Sequence, residues 1–366
     1  MKYYLTMKRN VICLSMMVLL ILASCTRRNS NKPWFVPTSA GNPYEVMVVA
    51  ADSVWDGYAG RALKRVLNKP VPMLPQQEPM FHVTRIRPEN YDRITNLFRN
   101  IIVFKIDDDF MQGKIKFERN VRSYPQAVVT IHAPNTRVAS SYITENTNSI
   151  IDFFYNEELN RQVEVLEFNH NAVFNDSMMN KFGCEMKIPA DLNRIKSGDN
   201  FLWASNDGLA TVQNICVYTY PYATEKVFEK HSFIALRDTF MGRNIPGYNP
   251  GSKMSTNKEF VDVDNYVQKG QFIQEARGLW EMTGDAMGGP FISQSRIDTL
   301  NNRVIVTEAF VYAPSKMKRS MIRRLEASLY TMKVKKKLSE CGLVFLRRDH
   351  QKYNDYAKDK SRNLTR

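Results

Sequence analysis

The rhythm of apolar runs changes halfway along this 366-residue chain, and that change constrains the fold more than any other feature. Residues 45–51, 81–86, 100–106 and 126–132 are short apolar runs of the kind found in buried strands. Between them, Trp55, Tyr58, Ala59, Ala62, Leu63, Val66 and Leu67 repeat at three and four, as a half-buried helix does. Asp52 or Ser53 is its expected cap. A second helix is predicted over 88–98, with proline near its first position. A long helical stretch follows from about 135 to 181. Strands alternating with helices predict an α/β sandwich.

Beyond Gly183 strands come in threes. Residues 183–189, 201–205 and 214–220 read as strands and 224–241 as a helix. Residues 242–258, rich in Gly, Pro and Asn, read as a loop. Strands at 272–282, 290–297 and 303–312 follow, then a helix from Ser315, its expected cap, to about 334. Met321, Leu325, Leu329 and Met332 form that helix's buried stripe, with Lys316, Lys318, Arg319, Arg323 and Arg324 largely off it. The expected class is therefore α/β (α+β), an N-terminal α/β sandwich over 44–181 and an antiparallel βββα-βββα half over 182–334. By element order alone the second half is similar to the Mog1/PsbP-type sandwich, a likeness that licenses no function.

The first 25 residues read as a processing signal. Lys2, Lys8 and Arg9 precede the apolar run 11–22, whose twelve residues are too few to span a bilayer that needs about 20. Leu22-Ala23-Ser24-Cys25 resembles the bacterial lipobox, which implies cleavage after residue 24 and lipid on Cys25. Several acyl chains give stable anchoring. Residues 25–43, with Asn29, Ser30, Asn31, Pro33, Pro37, Ser39, Gly41 and Pro43, read as a tether. Thr26 and the acid-free run that follows it favour an outer-membrane address facing the periplasm.

Net charge is +14, and seven of those charges fall between Lys333 and Arg366. The basic tail, 335–366, reads as a solvated segment, and its charge would also suit anionic headgroups or peptidoglycan carboxylates. No recognition motif supports nucleic acid. The five histidines, His82, His132, His170, His231 and His350, form no H-x-x-x-H pair, so no metal is expected, and no phosphate loop or nucleophile elbow implies a cofactor. Asp107, Asp108 and Asp109 read as a solvated turn, lacking the spaced ligands of a calcium loop. A Cys184–Cys216 bridge is available if their strands are neighbours.

The lipobox joins the opening Glu45-Val46-Met47-Val48-Val49 with Trp55, Pro75-Gln76-Gln77-Glu78-Pro79, Arg277-Gly278-Leu279-Trp280, Gly288-Gly289-Pro290-Phe291 and Glu308 to Pro314. Together these motifs resemble a domain-of-unknown-function family of Bacteroidota lipoproteins, over nearly the whole mature chain to about Val334. The resemblance implies an envelope address, carries no assigned activity and leaves function open.

Two sites stand out. The glycines around Trp280 and Pro290 predict a tight hairpin, holding Trp280 either in the core or as a ligand platform. On strand 303–312, alternation puts Val304, Val306, Glu308, Phe310 and Tyr312 on one face. Glu308 then needs a partner, because a lone buried charge costs several kcal/mol. Arg277 is the expected one, with Glu275 and Glu281 on its strand face. Arg277, Trp280, Glu308 and Tyr312 are thus the candidate ligand-binding residues. The expected role is a non-enzymatic binding or assembly module of the envelope, its partner an envelope protein or peptidoglycan. The alternatives are a glycan or peptidoglycan hydrolase using Glu308 with Glu275 or Glu281, and a tether gripping peptidoglycan through the tail. An enzyme would present those carboxylates in an open cleft.

Overall fold

The computed structural model describes residues 36–334, apart from positions 207, 209 and 269. Cys25, the signal segment and the basic tail lie outside the described residues.

The first sheet has the order β2-β1-β3-β5-β4. Its strands are β1 (Glu45–Val49), β2 (His82–Ile86), β3 (Asn100–Ile106), β4 (Lys114–Arg119) and β5 (Ala127–Ala133). The pairs β1–β2, β1–β3 and β3–β5 are parallel, and β4 runs antiparallel to β5. Helices α2 (Tyr58–Leu67), α3 (Thr136–Glu145) and α4 (Thr147–Phe168) bury Leu63, Ile143 and Phe154 against Val46, Val48, Val129 and Ile131. The opposite face carries a thinner cover of Ile86, Tyr91 and Phe98. Both faces of the central strands are therefore buried, which is why they read as continuous apolar runs.

Local chemistry corrects the helix boundaries. The predicted first helix breaks into α1 (Asp52–Trp55) and α2, and Asp52 pairs with Arg85 and Arg87 instead of capping. The helix expected over 88–98 is two 3-10 turns. Asp92 accepts from the backbone N–H groups of Ile94 and Thr95 at 2.9 Å, so its side chain competes with the helical pattern. The long stretch after Asn135 divides into α3, α4 and α5 (Ala172–Phe182). Asn135 caps α3 through the N–H groups of Arg137 and Val138, and Asn171 caps α5 through that of Phe174.

The second sheet is antiparallel throughout, in the order β6-β7-β8-β12-β11-β10-β9. It comprises β6 (Arg194–Gly198), β7 (Phe201–Ser205), β8 (Val212–Pro221), β9 (Lys253–Gln268), β10 (Gln271–Thr283), β11 (Gly288–Asp298) and β12 (Arg303–Tyr312). Helix α6 (Lys230–Asn244) covers one face, and α5 and α7 (Arg319–Leu329) cover the other. Alternation sorts the strand residues between the two layers: Cys216, Tyr218, Val304, Val306 and Phe310 lie beneath α6, and Ile215, Val217, Ile305, Ala309 and Val311 beneath α7. The class is mixed α/β, as expected. Because α5 packs Phe174, Met178 and Phe182 into the second core, the division between halves falls at the α4–α5 corner rather than after 181.

Residues 183–189 are not a strand. Cys184, Met186 and Ile188 do alternate into the core, but the segment pairs only by an isolated bridge between Glu185 and Lys333. Cys184 sits beneath α7 and Cys216, a free thiol, beneath α6, so the sheet separates them and no bridge joins the two.

Helix α7 is shared by both halves. Ser315 adopts a left-handed conformation and does not cap it. Glu78 does: its carboxylate accepts from the backbone N–H groups of Lys318 and Arg319. Gln76 accepts from the Lys318 ammonium at 3.0 Å, so the Pro75–Pro79 motif seats the helix from the first half. Contrary to expectation, Arg323 is buried, its guanidinium 4.2 Å from the Tyr44 ring centroid and donating to Met80 O at 2.8 Å. Packing from the first half buries Arg323, while the Arg324 side chain stays 40% exposed and pairs with Asp191.

Candidate functional site: two charge centres on opposite faces of one sheet

Strand β12 places Glu308 beneath α6, among Val304, Val306, Phe310 and Tyr312, as its alternation requires. The partner is not Arg277. Arg237, on α6, donates from Nε to both Glu308 oxygens at 3.0 Å and from a terminal nitrogen to Oε1 at 2.7 Å. Both side chains are completely buried. The guanidinium carbon lies 3.9 Å from the Phe291 ring centroid. The other terminal nitrogen donates to Thr256 Oγ1 at 2.8 Å, and that hydroxyl donates to Asp238 Oδ1 at 2.7 Å. Complete burial raises the Glu308 pKa against the lowering pull of Arg237. Burial alone would lower the Arg237 pKa, and the Glu308 carboxylate more than reverses this. Paired charges with fork geometry are the arrangement that tolerates such burial.

Arg277 fails as the partner for a reason of parity. In the paired register Ala276, Ser293 and Glu308 lie in one row, and Arg277, Ile292 and Ala309 in the next. Adjacent rows face opposite sides of the sheet. Arg277 therefore points beneath α7, where it donates to Glu275 at 2.8 Å and to Glu326 of α7. Burial would lower its pKa, but the Glu326 and Glu275 carboxylates hold it well above the ordinary value. Glu275 also accepts from Tyr266 and Gln294 at 3.1 Å. Tyr155 of α4 donates to Glu326, which brings the first half into the same cluster. Arg296, beside it, donates to Gln294 and to Leu329 O, and burial pushes its pKa down to about 10.

Trp280 is 2% exposed, donates to Val311 O at 3.2 Å, and meets Phe310 edge-on and Tyr312 at a tilt. Its rings pack into the core beneath α6. The flanking glycines admit close backbone approach: a Cβ on Gly289 would sit 2.0 Å from Val311 O, and one on Gly278 would sit 2.7 Å from Phe260 O. The structure thus gathers Trp280, Glu308 and Tyr312 on one face and leaves Arg277 on the other.

Opposite Gly278 and Trp280, strand β9 bulges. Beside the bulge a polar recess of about 550 Å³ is lined by Asp238, Ser255, Thr256, Asn257, Lys258, Glu259 and Glu281. Glu281 accepts from Asn257 at 3.0 Å. Thr256 and Asp238 link the recess to Arg237 and Glu308. Sequence reasoning missed Arg237, although Phe233, Arg237 and Met241 step by four along the buried face of α6. A lone arginine on one apolar stripe and a lone glutamate on another was the available sign. Among the described residues, Asp107, Asp108 and Asp109 bring three carboxylates within 4.8 Å of one another, all exposed on a turn.

Residues 171–331 match a domain of unknown function, DUF4837, and residues 39–167 match another, DUF8532. The chain carries two domains of unknown function. The single family expected from the motifs thus resolves into two, which meet at the α4–α5 corner where the cores divide. A comparison with curated proteins finds no match. Among solved structures, a mutant of protein Mog1 matches at a TM-score of 0.27 and 14% identity, over 42% of this chain and 93% of that one. The Ran-binding protein Mog1p of Saccharomyces cerevisiae matches at 0.27 and 13%, over 42% and 92%. A protein of Bacteroides thetaiotaomicron matches at 0.19 and 12%, over 43% and 46%. The mixed α/β class rests on the strand order of the two sheets. The DUF4837 half holds both charge centres, and the DUF8532 half contributes Tyr155 and Glu78 to their surroundings.

Proposed function

We propose that the chain is a lipid-anchored envelope protein that acts as a non-catalytic binding or assembly module. The observation carrying the non-catalytic part is the closure of Glu308: both oxygens are occupied by Arg237 and neither residue meets solvent. A hydrolytic pair needs one carboxylate free to protonate a leaving group and another free to activate water or attack. Glu275 is likewise committed, to Arg277, Tyr266 and Gln294. Glu281 stands exposed, without a second free carboxylate of the expected set beside it. The recess at the β9 bulge is where a polar ligand would be received.

Anchoring rests on the lipobox resemblance at Cys25. No helix among the described residues is long and apolar enough to cross a membrane, which is compatible with attachment through lipid. The test is the Cys25→Ala chain expressed in its host. Loss of acyl-lipid labelling, retention of the signal segment and altered membrane fractionation are expected. An unchanged mass and unchanged membrane association relative to the native chain would reject the anchor. Hydrolysis of purified peptidoglycan or glycan by the native chain, abolished by Glu281→Gln, would reject the non-catalytic reading.

A further inference from the structure

Two turns at one end of the first sheet each hold out an apolar side chain next to an arginine. In the turn before β3, Arg93 and Ile94 are exposed, Ile94 by 76%. In the turn between β4 and β5, Val121 and Arg122 are exposed, Val121 by 44%. Both tips are braced. Asp92 accepts from the N–H groups of Ile94 and Thr95, and the Thr95 hydroxyl accepts from the Asp92 N–H at 2.8 Å. In the second turn Gln126 Oε1 accepts from the Arg122 N–H at 2.9 Å, and Asn120 Oδ1 from the Gln126 N–H at 3.0 Å. The Ser123 hydroxyl donates to Leu97 O at 3.0 Å and the Gln126 amide to Asn96 O at 2.7 Å, so the two turns form one platform.

The chain enters the fold between these turns. Thr38 bridges to Tyr124 and Ala40 to Phe98. The Tyr124 N–H donates to Pro37 O at 2.9 Å, and the Ala40 N–H to Leu97 O at 2.9 Å. Eleven residue steps separate Cys25 from Val36, and fully extended they reach about 37 Å. Lipid on Cys25 would thus hold this end of the sheet nearest the bilayer. The far end, where the β3–β4 loop carries Met111 at 98% exposure, lies a seven-residue strand away, about 23 Å. Glu89 and Asp92 offset Arg93 and Arg122 in charge, so apolar insertion outweighs net attraction as the force this surface offers. An arginine stem can bury at headgroup level while its guanidinium fork meets phosphate oxygens.

We propose that these two turns are the membrane-facing surface of the protein, with Ile94 and Val121 inserted at headgroup level and Arg93 and Arg122 donating to lipid phosphates. The proposal rests on the lipid anchor at Cys25 proposed above. Two apolar tips beside the point of entry fix an orientation that the lipid alone leaves open, and they set the Met111 end of the sheet away from the bilayer.

The test is nitroxide depth on the full lipidated chain in vesicles of phosphatidylethanolamine and phosphatidylglycerol. The chain carries Cys341→Ser and a single label introduced through Ile94→Cys, Val121→Cys or Met111→Cys. Cys184 and Cys216 are buried and stay unlabelled. Acyl mass and flotation with the vesicles report the anchor separately. Labels at 94 and 121 are expected about 5 Å below the phosphates, shielded from a water-soluble nickel complex, with the label at 111 in water. Ile94→Asp, at an exposed site that tolerates charge, should return the label at 121 to water while acylation and flotation persist. An acylated, floating chain whose 94 and 121 labels meet the nickel complex as readily as 111 overturns the proposal. So does shielding at 94 and 121 that is the same without vesicles and rises with protein concentration, the mark of a second copy. A chain without acyl mass removes the anchor itself, and the proposal with it.

Discussion

The two faces of the seven-stranded sheet handle buried charge differently. Beneath α6, Arg237 and Glu308 form a closed pair whose ligands all come from the second half. Beneath α7, Arg277 is shared between two carboxylates, and the cluster reaches the first half through Tyr155. The first centre is satisfied within one domain. The second makes the relation of the two domains part of the same hydrogen-bond network. A buried pair is weak grounds for claiming net stability, but losing one member of it is costly.

The sharpest way to break this contrast is Glu308→Ala, which strands a buried guanidinium. A loss of about 3–5 kcal/mol is expected in urea denaturation followed by tryptophan fluorescence. Arg277→Ala should cost less, about 1.5–3 kcal/mol, because a quarter of that side chain is exposed and water can reach part of what it leaves. The two faces should also differ in coupling. Tyr155→Phe and Glu326→Gln should be non-additive with each other by at least about 0.5 kcal/mol, and Tyr155→Phe should add simply to Glu308→Ala.

A smaller effect is expected from Glu78→Ala, which removes the α7 cap supplied by the first half. A cost of about 1 kcal/mol should appear, with faster amide exchange at Lys318 and Arg319. The smallest concerns His132, whose pKa is lowered by burial and by Lys105, Lys114 and Lys116. A depressed folded value stabilises the fold above the ordinary imidazole value and loses that contribution as pH falls through the folded one. His132→Asn should therefore flatten the slight decline in first-half stability below neutral pH, read from thermal melts across a pH series.

Strands flanked on both sides were legible in the sequence, and most edges were not. β4, β6 and β9, all absent from the sequence reading, are edge strands: β4 of the first sheet, β6 and β9 of the second. An edge strand pairs on one side only and keeps polar residues that discourage further pairing, so Lys114–Arg119 and much of Lys253–Gln268 show no continuous apolar run. The 183–189 segment shows the converse, since alternating burial at Cys184, Met186 and Ile188 arises without a sheet to join. At the charge centres, the face holding Glu308 was readable from its own strand. Its partner was not, because the parity of Arg277 depends on the register between β10, β11 and β12, which turns and bulges set.

The central claim is that Glu308 and Arg237 are mutually dependent, each tolerated in the core only because the other neutralises it. It is tested most directly by a double-mutant cycle on unfolding free energy with Arg237→Met, Glu308→Leu and both together. Each single variant should lose about 3–5 kcal/mol, and the double variant should return to within about 1 kcal/mol of the native chain. A double variant as unstable as the sum of the singles would contradict the account.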